Sequence, residues 1–135
     1  MILLDTDVVL DVALDREGHV EPAAALLHRL ELRPRSAFVA WHSLANIYYL
    51  VRPRRGGADA RLFVQDLTRF VLVAPIDTDE FHFATTLGLS DFEDCMQVAA
   101  ARACGARAIV TRNQRDFTTS PIPAVTPAEA LKLIA

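Results

Sequence analysis

Short apolar runs alternate with longer segments of helical periodicity along the chain, and this alternation restricts the possible folds more than any other feature. Apolar runs of a few residues predict buried strands, whereas apolar spacings of three and four residues predict helices. Strands that alternate with helices are typical of parallel sheets, because each parallel strand needs a crossover connection. The predicted strands are residues 2–4, 37–40, 70–74, 108–110 and 124–125.

The segments between and after these strands predict seven helices. We expect Pro53 to stop the third helix at Val51, followed by a loop over residues 54–57. The pattern as a whole implies a single domain, residues 1–135, folded as a three-layer α/β/α sandwich around a mostly parallel central sheet. The predicted helices are residues 7–14, 21–32, 42–51, 58–69, 78–87, 90–103 and 127–134.

Two of these helices carry more detailed expectations. The sixth opens with Ser90-Asp91-Phe92-Glu93, which fits a capping box in which Glu93 is the partner of Ser90. The expected inward residues are Leu62, Phe63 and Leu67 in the fourth helix, and Phe92, Cys95, Ala99 and Ala103 in the sixth.

Composition excludes several classes of protein. Hydrophobic residues make up 52% of the 135 residues, which argues against disorder. The longest apolar run, residues 70–75, is far shorter than the ~20 residues of a membrane helix. Asp5 comes too early for a signal peptide, and Cys95 and Cys104 would lie about 13 Å apart along one helix, too far for a disulfide. A reduced, cytoplasmic protein without a membrane segment is therefore expected.

The charge balance does not by itself indicate a nucleic-acid binder, because the net charge is -3. Arginine replaces lysine almost everywhere, and Lys132 is the one lysine. Arginine suits bidentate phosphate contacts, but the same bias also follows from genomic composition. The clustered arginines are Arg52, Arg54, Arg55 and Arg61, and then Arg107, Arg112 and Arg115.

Acidic residues follow two of the predicted strands and open the sixth helix. Asp5 and Asp7 follow the first strand, and Asp116 closes a polar loop after the fourth. Asp91 and Asp94 are three residues apart and share one helix face. Sites in open α/β sheets lie outside the carboxyl ends of the strands, so these carboxylates are expected to converge.

Carboxylates crowded at such an edge repel one another unless a cation lies between them. Mg²⁺ or Mn²⁺ suits such a group, because both ions prefer hard oxygen ligands. The same ion would activate water and stabilise charge on a phosphodiester. The four histidines, in contrast, show no metal-ligand spacing.

Most of these acids also have a purely structural interpretation. Asp5 can simply end a strand, Asp7 can cap the next helix, and Asp91 can complement a helix dipole. Asp116 can be a turn residue. Asp94 is harder to explain in this way, because it lies past the positions where capping helps most.

The three acidic segments together resemble the motifs of the PIN-domain family, and most closely its bacterial group of VapC-like toxins. The opening Asp5-Thr6-Asp7 after an apolar strand is similar to the first motif of the family. The helix from Ser90 to Ala100, with Asp91 and Asp94, resembles its third acidic motif. Thr111-Arg112-Asn113 with Asp116-Phe117 is similar to its closing motif.

The resemblance implies a Mg²⁺- or Mn²⁺-dependent endoribonuclease that cuts single-stranded RNA. It implies an acidic core of Asp5, Asp94 and Asp116, with Asp91 as an additional acid. Thr111 and Asn113 would support that core by hydrogen bonding, as would Asp7. Family members often pair with a small antitoxin protein and form homodimers, so both partners are expected.

One position departs from the family pattern. The helix after the second strand usually carries a glutamate, and here Asn46 stands there. Asparagine offers an oxygen but no charge, which should weaken metal binding, and Asp7 or Asp91 would have to compensate. A PIN fold that binds RNA or protein without cutting therefore stays open as an alternative.

Arg112 or Arg115 is expected to contact the RNA backbone. Trp41, Tyr48 and Tyr49 either stack on bases or, as the more ordinary interpretation, pack in the core or in a dimer face formed by residues 42–51. A different enzyme class also opens with Asp-Thr-Asp after a strand, namely the haloacid-dehalogenase-like phosphatases. Those enzymes and response-regulator receivers need a lysine at the site, and Lys132 in the last helix is poorly placed for it.

Overall fold

The computed structural model describes residues 1–134, so Ala135 and the end of the predicted single domain 1–135 lie outside the described residues. The described part contains five short strands, seven α-helices and one 3₁₀ helix. The strands are β1 (Ile2–Leu4), β2 (Ala37–Val39), β3 (Leu72–Val73), β4 (Ile109–Val110) and β5 (Ala124–Val125). The α-helices are α1 (Thr6–Ala13), α2 (Val20–Leu32), α3 (Trp41–Arg55), α4 (Gly57–Leu67), α5 (Thr78–Thr85), α6 (Phe92–Ala103) and α7 (Pro127–Leu133), and the 3₁₀ helix is Gln114–Phe117.

The strands form one sheet in the order β3-β2-β1-β4-β5, and every pairing in residues 1–134 is parallel. Leu3 in the central strand β1 lies opposite Phe38 of β2 and Ile109 of β4. The chain moves outward from β1 through β2 to β3, and then returns to the other side of β1 with β4. The order therefore reverses between β1 and β4, and α/β folds bind ligands at the carboxyl ends of the strands beside such a switch point.

Helices cover both faces of the sheet, which gives the predicted three-layer α/β/α sandwich. On one face Ile2 and Leu4 pack with buried residues of α1, α2, α3, α4 and α7. On the other face Leu3 and Ile109 pack against Val98 of α6, and α5 packs beside α6. Alternate residues of β1 thus enter different cores, as strand geometry requires.

Helix α3 is longer than the sequence predicts. It continues through Pro53 to Arg55, so the expected stop at Val51 and the expected loop over 54–57 are wrong. Pro53 lies in the last turn of the helix, so the hydrogen bonds of the preceding turns do not depend on its missing N–H. The helix ends instead at Gly56, whose φ of 84° favours glycine and whose N–H donates to the Arg52 carbonyl at 2.8 Å.

Two expected inward side chains point outward. Leu62 is 50% exposed, because the buried face of α4 runs through Ala60 and Leu67 instead. Phe92 is 44% exposed at the first position of α6, where its ring meets the edge of Phe81 with centroids 5.8 Å apart. Within residues 1–134, no helix combines the length and apolar character needed to cross a membrane.

Candidate active site

Asp5 lies at the carboxyl end of the central strand, beside the switch point of the sheet. Its backbone N–H donates to the Val110 carbonyl at 2.9 Å, which extends the β1–β4 ladder by one residue. Its side chain accepts from the Thr6 N–H at 2.8 Å and caps α1. Asp5, and not Asp7, is therefore the cap of this helix, and its carboxylate is only 6% exposed.

Helix α6 brings two more carboxylates to Asp5. Asp94 is 8% exposed and Glu93 is half-buried. Each of the three offers a carboxylate oxygen, and these oxygens all lie within 4.8 Å of one another. The site thus joins residues that are about ninety positions apart in the sequence, because α6 packs against β1.

The capping box expected at Ser90 is wrong. Asp91 is the N-cap of α6, and its Oδ1 accepts from the Glu93 N–H at 2.9 Å. The Glu93 side chain instead turns inward, where its Oε2 lies 2.6 Å from Nε2 of His42 and accepts from Nε2 of Gln97 at 2.9 Å. Serine and aspartate are comparable N-caps, so residue type does not decide between Ser90 and Asp91; the helix starts one residue later than predicted, which frees Glu93.

Asp7 lies next to the carboxylate cluster and is held by the loop after β4. Its Oδ2 accepts from Thr111 Oγ1 at 3.2 Å and from Asn113 Nδ2 at 2.9 Å. Its Oδ1 is buried and has no hydrogen-bond partner among the described residues. The structure thus brings Asp7, Thr111 and Asn113 together, with both loop residues donating to one oxygen of Asp7.

The same loop carries Arg112, Arg115 and Asp116. Arg112 donates through Nε at 2.8 Å and through Nη2 at 3.2 Å to the carboxylate of Asp11, which is 1% exposed. Asp11 therefore occupies two nitrogens of the Arg112 guanidinium, although the sequence predicts that Arg112 contacts RNA. Arg115 and Asp116 are exposed, and they line an open cleft of about 390 Å³ together with Arg112 and Asn113.

Burial and mutual repulsion hold the central carboxylates in an unusual protonation state. Burial raises the pKa of Asp5 to about 8, with further increases from the charges of Asp7 and Glu93. Burial also raises the pKa of Asp94 to about 7, and the charges of Asp91, Glu93 and Asp116 add to it. Asp91 and Asp116 therefore lie at the rim of the cluster, where their charges raise the pKa of Asp94. Perturbed pKa values of this kind cluster at functional sites.

A buried polar network behind the cluster was not predicted from the sequence. Thr6 Oγ1 donates to Ser43 Oγ at 2.9 Å, and Gln97 Nε2 donates to the same Ser43 Oγ at 2.8 Å. All three side chains are buried, and they tie α1, α3 and α6 together below the carboxylates. Gln97 is the sequence feature that could have indicated this network, because it is a polar residue in an otherwise apolar stretch of the helix, four residues after Glu93.

The remaining candidates on α3 are placed less centrally. Asn46 is half-buried and follows Ser43 by three residues, which puts it near the same helix face. Trp41 and Tyr49 are 67% and 64% exposed, whereas Tyr48 packs against the core. Trp41 therefore does not pack in the core, and stacking or dimer roles for these aromatic residues stay predictions.

Lys132 does not reach this site. It is exposed on α7, which packs against α2 on the other side of the sheet from α6. A phosphatase of the haloacid-dehalogenase type needs a lysine beside its nucleophile. The position of the one lysine thus argues against that class.

The protonation state of Asp5 predicts that the ion-free protein loses stability as the pH rises. Between its ordinary pKa of 3.8 and its folded pKa of about 8, the folded state keeps a proton that the unfolded state has lost. The free energy of unfolding should therefore fall across this range, by up to about 6 kcal/mol for the full shift. Denaturant titrations in EDTA at pH 5, 6.5 and 8 measure it. A free energy of unfolding that is constant or increases over this range would contradict the burial of an ionisable Asp5.

Comparisons with known proteins agree with this geometry. A family profile described as PIN domain matches residues 1–115. A comparison with curated protein sequences gave no match.

Several solved structures share the fold at low sequence identity. A chain of a toxin–antitoxin complex from Klebsiella pneumoniae is 19% identical, has a TM-score of 0.71, and the alignment covers 94% of this chain and 98% of that one. The toxin VapC20 from Mycobacterium tuberculosis, described as cleaving the sarcin-ricin loop, is 18% identical with a TM-score of 0.65 and coverage of 81% and 87%. A chain of FitAcB from Neisseria gonorrhoeae is 20% identical with a TM-score of 0.64 and coverage of 94% and 98%. Since the family profile spans most of the chain and the parallel sheet carries its carboxylates at the expected strand end, the protein belongs to the PIN-domain family.

Proposed function

We propose that this protein is a metal-dependent endoribonuclease that cuts single-stranded RNA and acts as the toxin of a toxin–antitoxin pair. The observation that supports it most is the meeting of Asp5 and Asp94. Their carboxylate oxygens lie within 4.8 Å of each other at the switch point of a parallel sheet, although both groups are buried. Two buried carboxylates at this distance are unfavourable without a cation.

The donor set fits Mg²⁺ or Mn²⁺. Carboxylate oxygens are the ligands that both ions prefer, and the unpaired Oδ1 of Asp7 is a further acceptor beside the cluster. Asp5 and Asp94 would hold the ion, with Asp116 and Asp91 at the rim and Asn46 assisting. Bound there, such an ion supplies an activated water and stabilises charge on a phosphodiester.

The residues around the cluster have separate tasks in this proposal. Thr111 and Asn113 fix the Asp7 carboxylate by donating to its Oδ2. Arg115, exposed in the cleft beside Asp116, contacts the RNA backbone, and Arg112 keeps the loop in place through Asp11 while a remaining N–H can face a phosphate. The buried Thr6–Ser43–Gln97 network keeps α6 at a fixed distance from β1.

The toxin role rests on the family and its structural relatives. Similar chains occur in a toxin–antitoxin complex from Klebsiella pneumoniae and in FitAcB from Neisseria gonorrhoeae, and VapC20 is described as a toxin that cleaves the sarcin-ricin loop. We therefore expect a small antitoxin protein as partner and a homodimer as the assembly of the toxin. Exposed apolar residues on α3, Tyr49 and Leu50 among them, offer a surface for such contacts.

Cleavage of a mixed pool of single-stranded RNA tests the proposal. The full chain is incubated with Mg²⁺ or Mn²⁺, beside EDTA and the variants Asp5→Asn and Asp94→Asn. Metal-dependent cutting that both variants abolish is the expected result. A folded protein that binds RNA but cuts none of it with either ion would favour the alternative, a PIN fold that binds without cleaving because Asn46 brings no charge.

The proposed contact of Arg115 gives a separate prediction. Arg115→Ala should raise the KM for RNA about tenfold, which corresponds to about 1.4 kcal/mol, and should leave the melting temperature nearly unchanged because the side chain is exposed. Arg33→Ala is the matched control, since Arg33 is exposed just before β2 at the opposite edge of the sheet. Equal KM values for the two variants would remove Arg115 from the RNA contact.

A further inference from the structure

Helix α3 brings no carboxylate to the site. Its fifteen residues, Trp41–Arg55, contain no aspartate or glutamate, and Asn46 stands where a charged ligand would be expected from this helix. The charge that balances a divalent ion must therefore come from elsewhere. Asp7 and Asp91 are the neighbouring acids, but Oδ2 of Asp7 is engaged by Thr111 and Asn113, and Oδ1 of Asp91 caps α6.

Glu93 differs from both of these acids because its carboxylate belongs to the cluster of oxygens that it forms with Asp5 and Asp94. Both hydrogen bonds that described residues make to its side chain end on Oε2, one with His42 at 2.6 Å and one with Gln97 at 2.9 Å. One of its carboxylate oxygens also lies within 4.8 Å of oxygens of Asp5 and Asp94. A carboxylate held by two partners through one oxygen can offer the other to an ion.

Gln97 supplies a second observation. It is fully buried, and because the Glu93 carboxylate only accepts hydrogen bonds, the amide nitrogen must face Glu93. The amide oxygen, Oε1, consequently has no partner among the described residues. A buried acceptor without a donor is costly, and the waters around a bound cation are donors.

We propose that Glu93 is a metal-binding residue of this protein, which supplies from α6 the carboxylate that α3 lacks at Asn46, and that His42 and Gln97 are its positioning residues. The proposal rests on the proposed function, because it concerns the same ion. His42 is the second residue of α3, so α3 contributes to the site indirectly, through the contact of His42 with Glu93. The hydrogen bonds to both partners hold the Glu93 side chain, which is 35% exposed, beside Asp5 and Asp94.

Manganese binding by isothermal titration calorimetry tests the proposal on the full chain at pH 7.5. Glu93→Gln should weaken Mn²⁺ binding at least about tenfold, since outer partners of metal ligands already cost ten- to a hundredfold. The matched control is Glu80→Gln, which removes the same charge from the first turn of α5 and lets glutamine keep the capping box with Asp77. The control should stay within about twofold of the unaltered protein.

Two further variants separate ligation from folding and positioning. Glu93→Asp keeps the charge but shortens the side chain by one methylene, which moves the carboxylate away from the ion. Mn²⁺ binding should therefore still weaken by at least about threefold. His42→Phe should weaken Mn²⁺ binding by a similar factor, because outer partners that orient a metal ligand have effects of this kind. Circular dichroism in EDTA checks that each variant is folded.

The outcomes are distinguishable. If Mn²⁺ binds Glu93→Gln and Glu93→Asp as tightly as the unaltered protein while Asp5→Asn has lost binding, Glu93 is only the partner of His42, and this inference is overturned while the proposed function stands. If the unaltered protein does not bind Mn²⁺ at all, both are overturned. Weaker binding in Glu93→Gln but not in Glu80→Gln supports the assignment.

Discussion

Asp5→Asn should make the ion-free protein more stable and at the same time abolish the proposed metal-dependent cleavage of RNA. Burial and the charges of Asp7 and Glu93 disfavour the ionised Asp5 carboxylate, and asparagine removes that charge. Asparagine is also as good an N-cap as aspartate, so the bond from the Thr6 N–H is retained. We expect about 1–3 kcal/mol of added stability at pH 8 in EDTA, and at least a hundredfold loss of RNA cleavage.

Thermal melts with and without Mn²⁺ measure both halves of this prediction. The unaltered protein should gain stability from the ion, as any ligand of the folded state provides, whereas Asp5→Asn should gain little. Asp59→Asn is the control, because Asp59 is exposed in the first turn of α4 and distant from the cluster. If Asp5→Asn lowers the free energy of unfolding in EDTA, the Asp5 carboxylate stabilises the folded protein, and repulsion within the cluster does not destabilise it.

Asp11→Ala should be among the most destabilising single substitutions in the chain. Asp11 is 1% exposed on α1 and accepts two hydrogen bonds from Arg112 and one from Arg16. Removal of one partner of a buried ion pair leaves the other charge without compensation. Because Arg112 is itself 30% exposed, we expect a loss of about 2–4 kcal/mol, slightly below the range for a fully buried pair.

Urea denaturation of Asp11→Ala and Asp66→Ala measures this effect. Asp66 pairs with Arg69 at 3.4 Å, but both side chains are mostly exposed, so its removal should cost under about 0.5 kcal/mol. Asp11→Ala should also slow RNA cleavage in the fraction that is still folded, because Arg112 anchors the loop that carries Asn113 and Asp116. Equal free energies of unfolding for the two variants would mean that the buried pair does not hold the loop.

Most of the fold follows from local sequence signals. Three-residue apolar runs such as Ile2–Leu4 have to be buried on both faces, and buried strands joined by helices can only form a parallel sheet. The strand order follows less directly, because it depends on which hydrophobic faces pack together. The end of α3 was misplaced, because the rule that helices stop before proline does not weigh the tertiary contacts that carry the helix on to Gly56.

The candidate site was predictable in part. Asp5 and Asp94 were identified because they follow a strand and open a helix, two positions where acids meet in α/β folds. Glu93 was assigned to a capping box instead, since one-residue shifts of a helix start cannot be read from residue types alone. The partnership of His42 with Glu93 spans 51 positions, and sequence spacing holds no information on contacts that only packing creates.

We propose that Asp5, Glu93 and Asp94 together hold a divalent ion that takes part in RNA cleavage. The most direct measurement is the anomalous scattering of Mn²⁺ in a crystal of the protein grown with that ion. We predict an anomalous peak among the three side chains, with a carboxylate oxygen of each within about 2.5 Å of it. The absence of a peak there at saturating Mn²⁺, or a peak at another site alone, would contradict the assignment of these three residues as metal ligands.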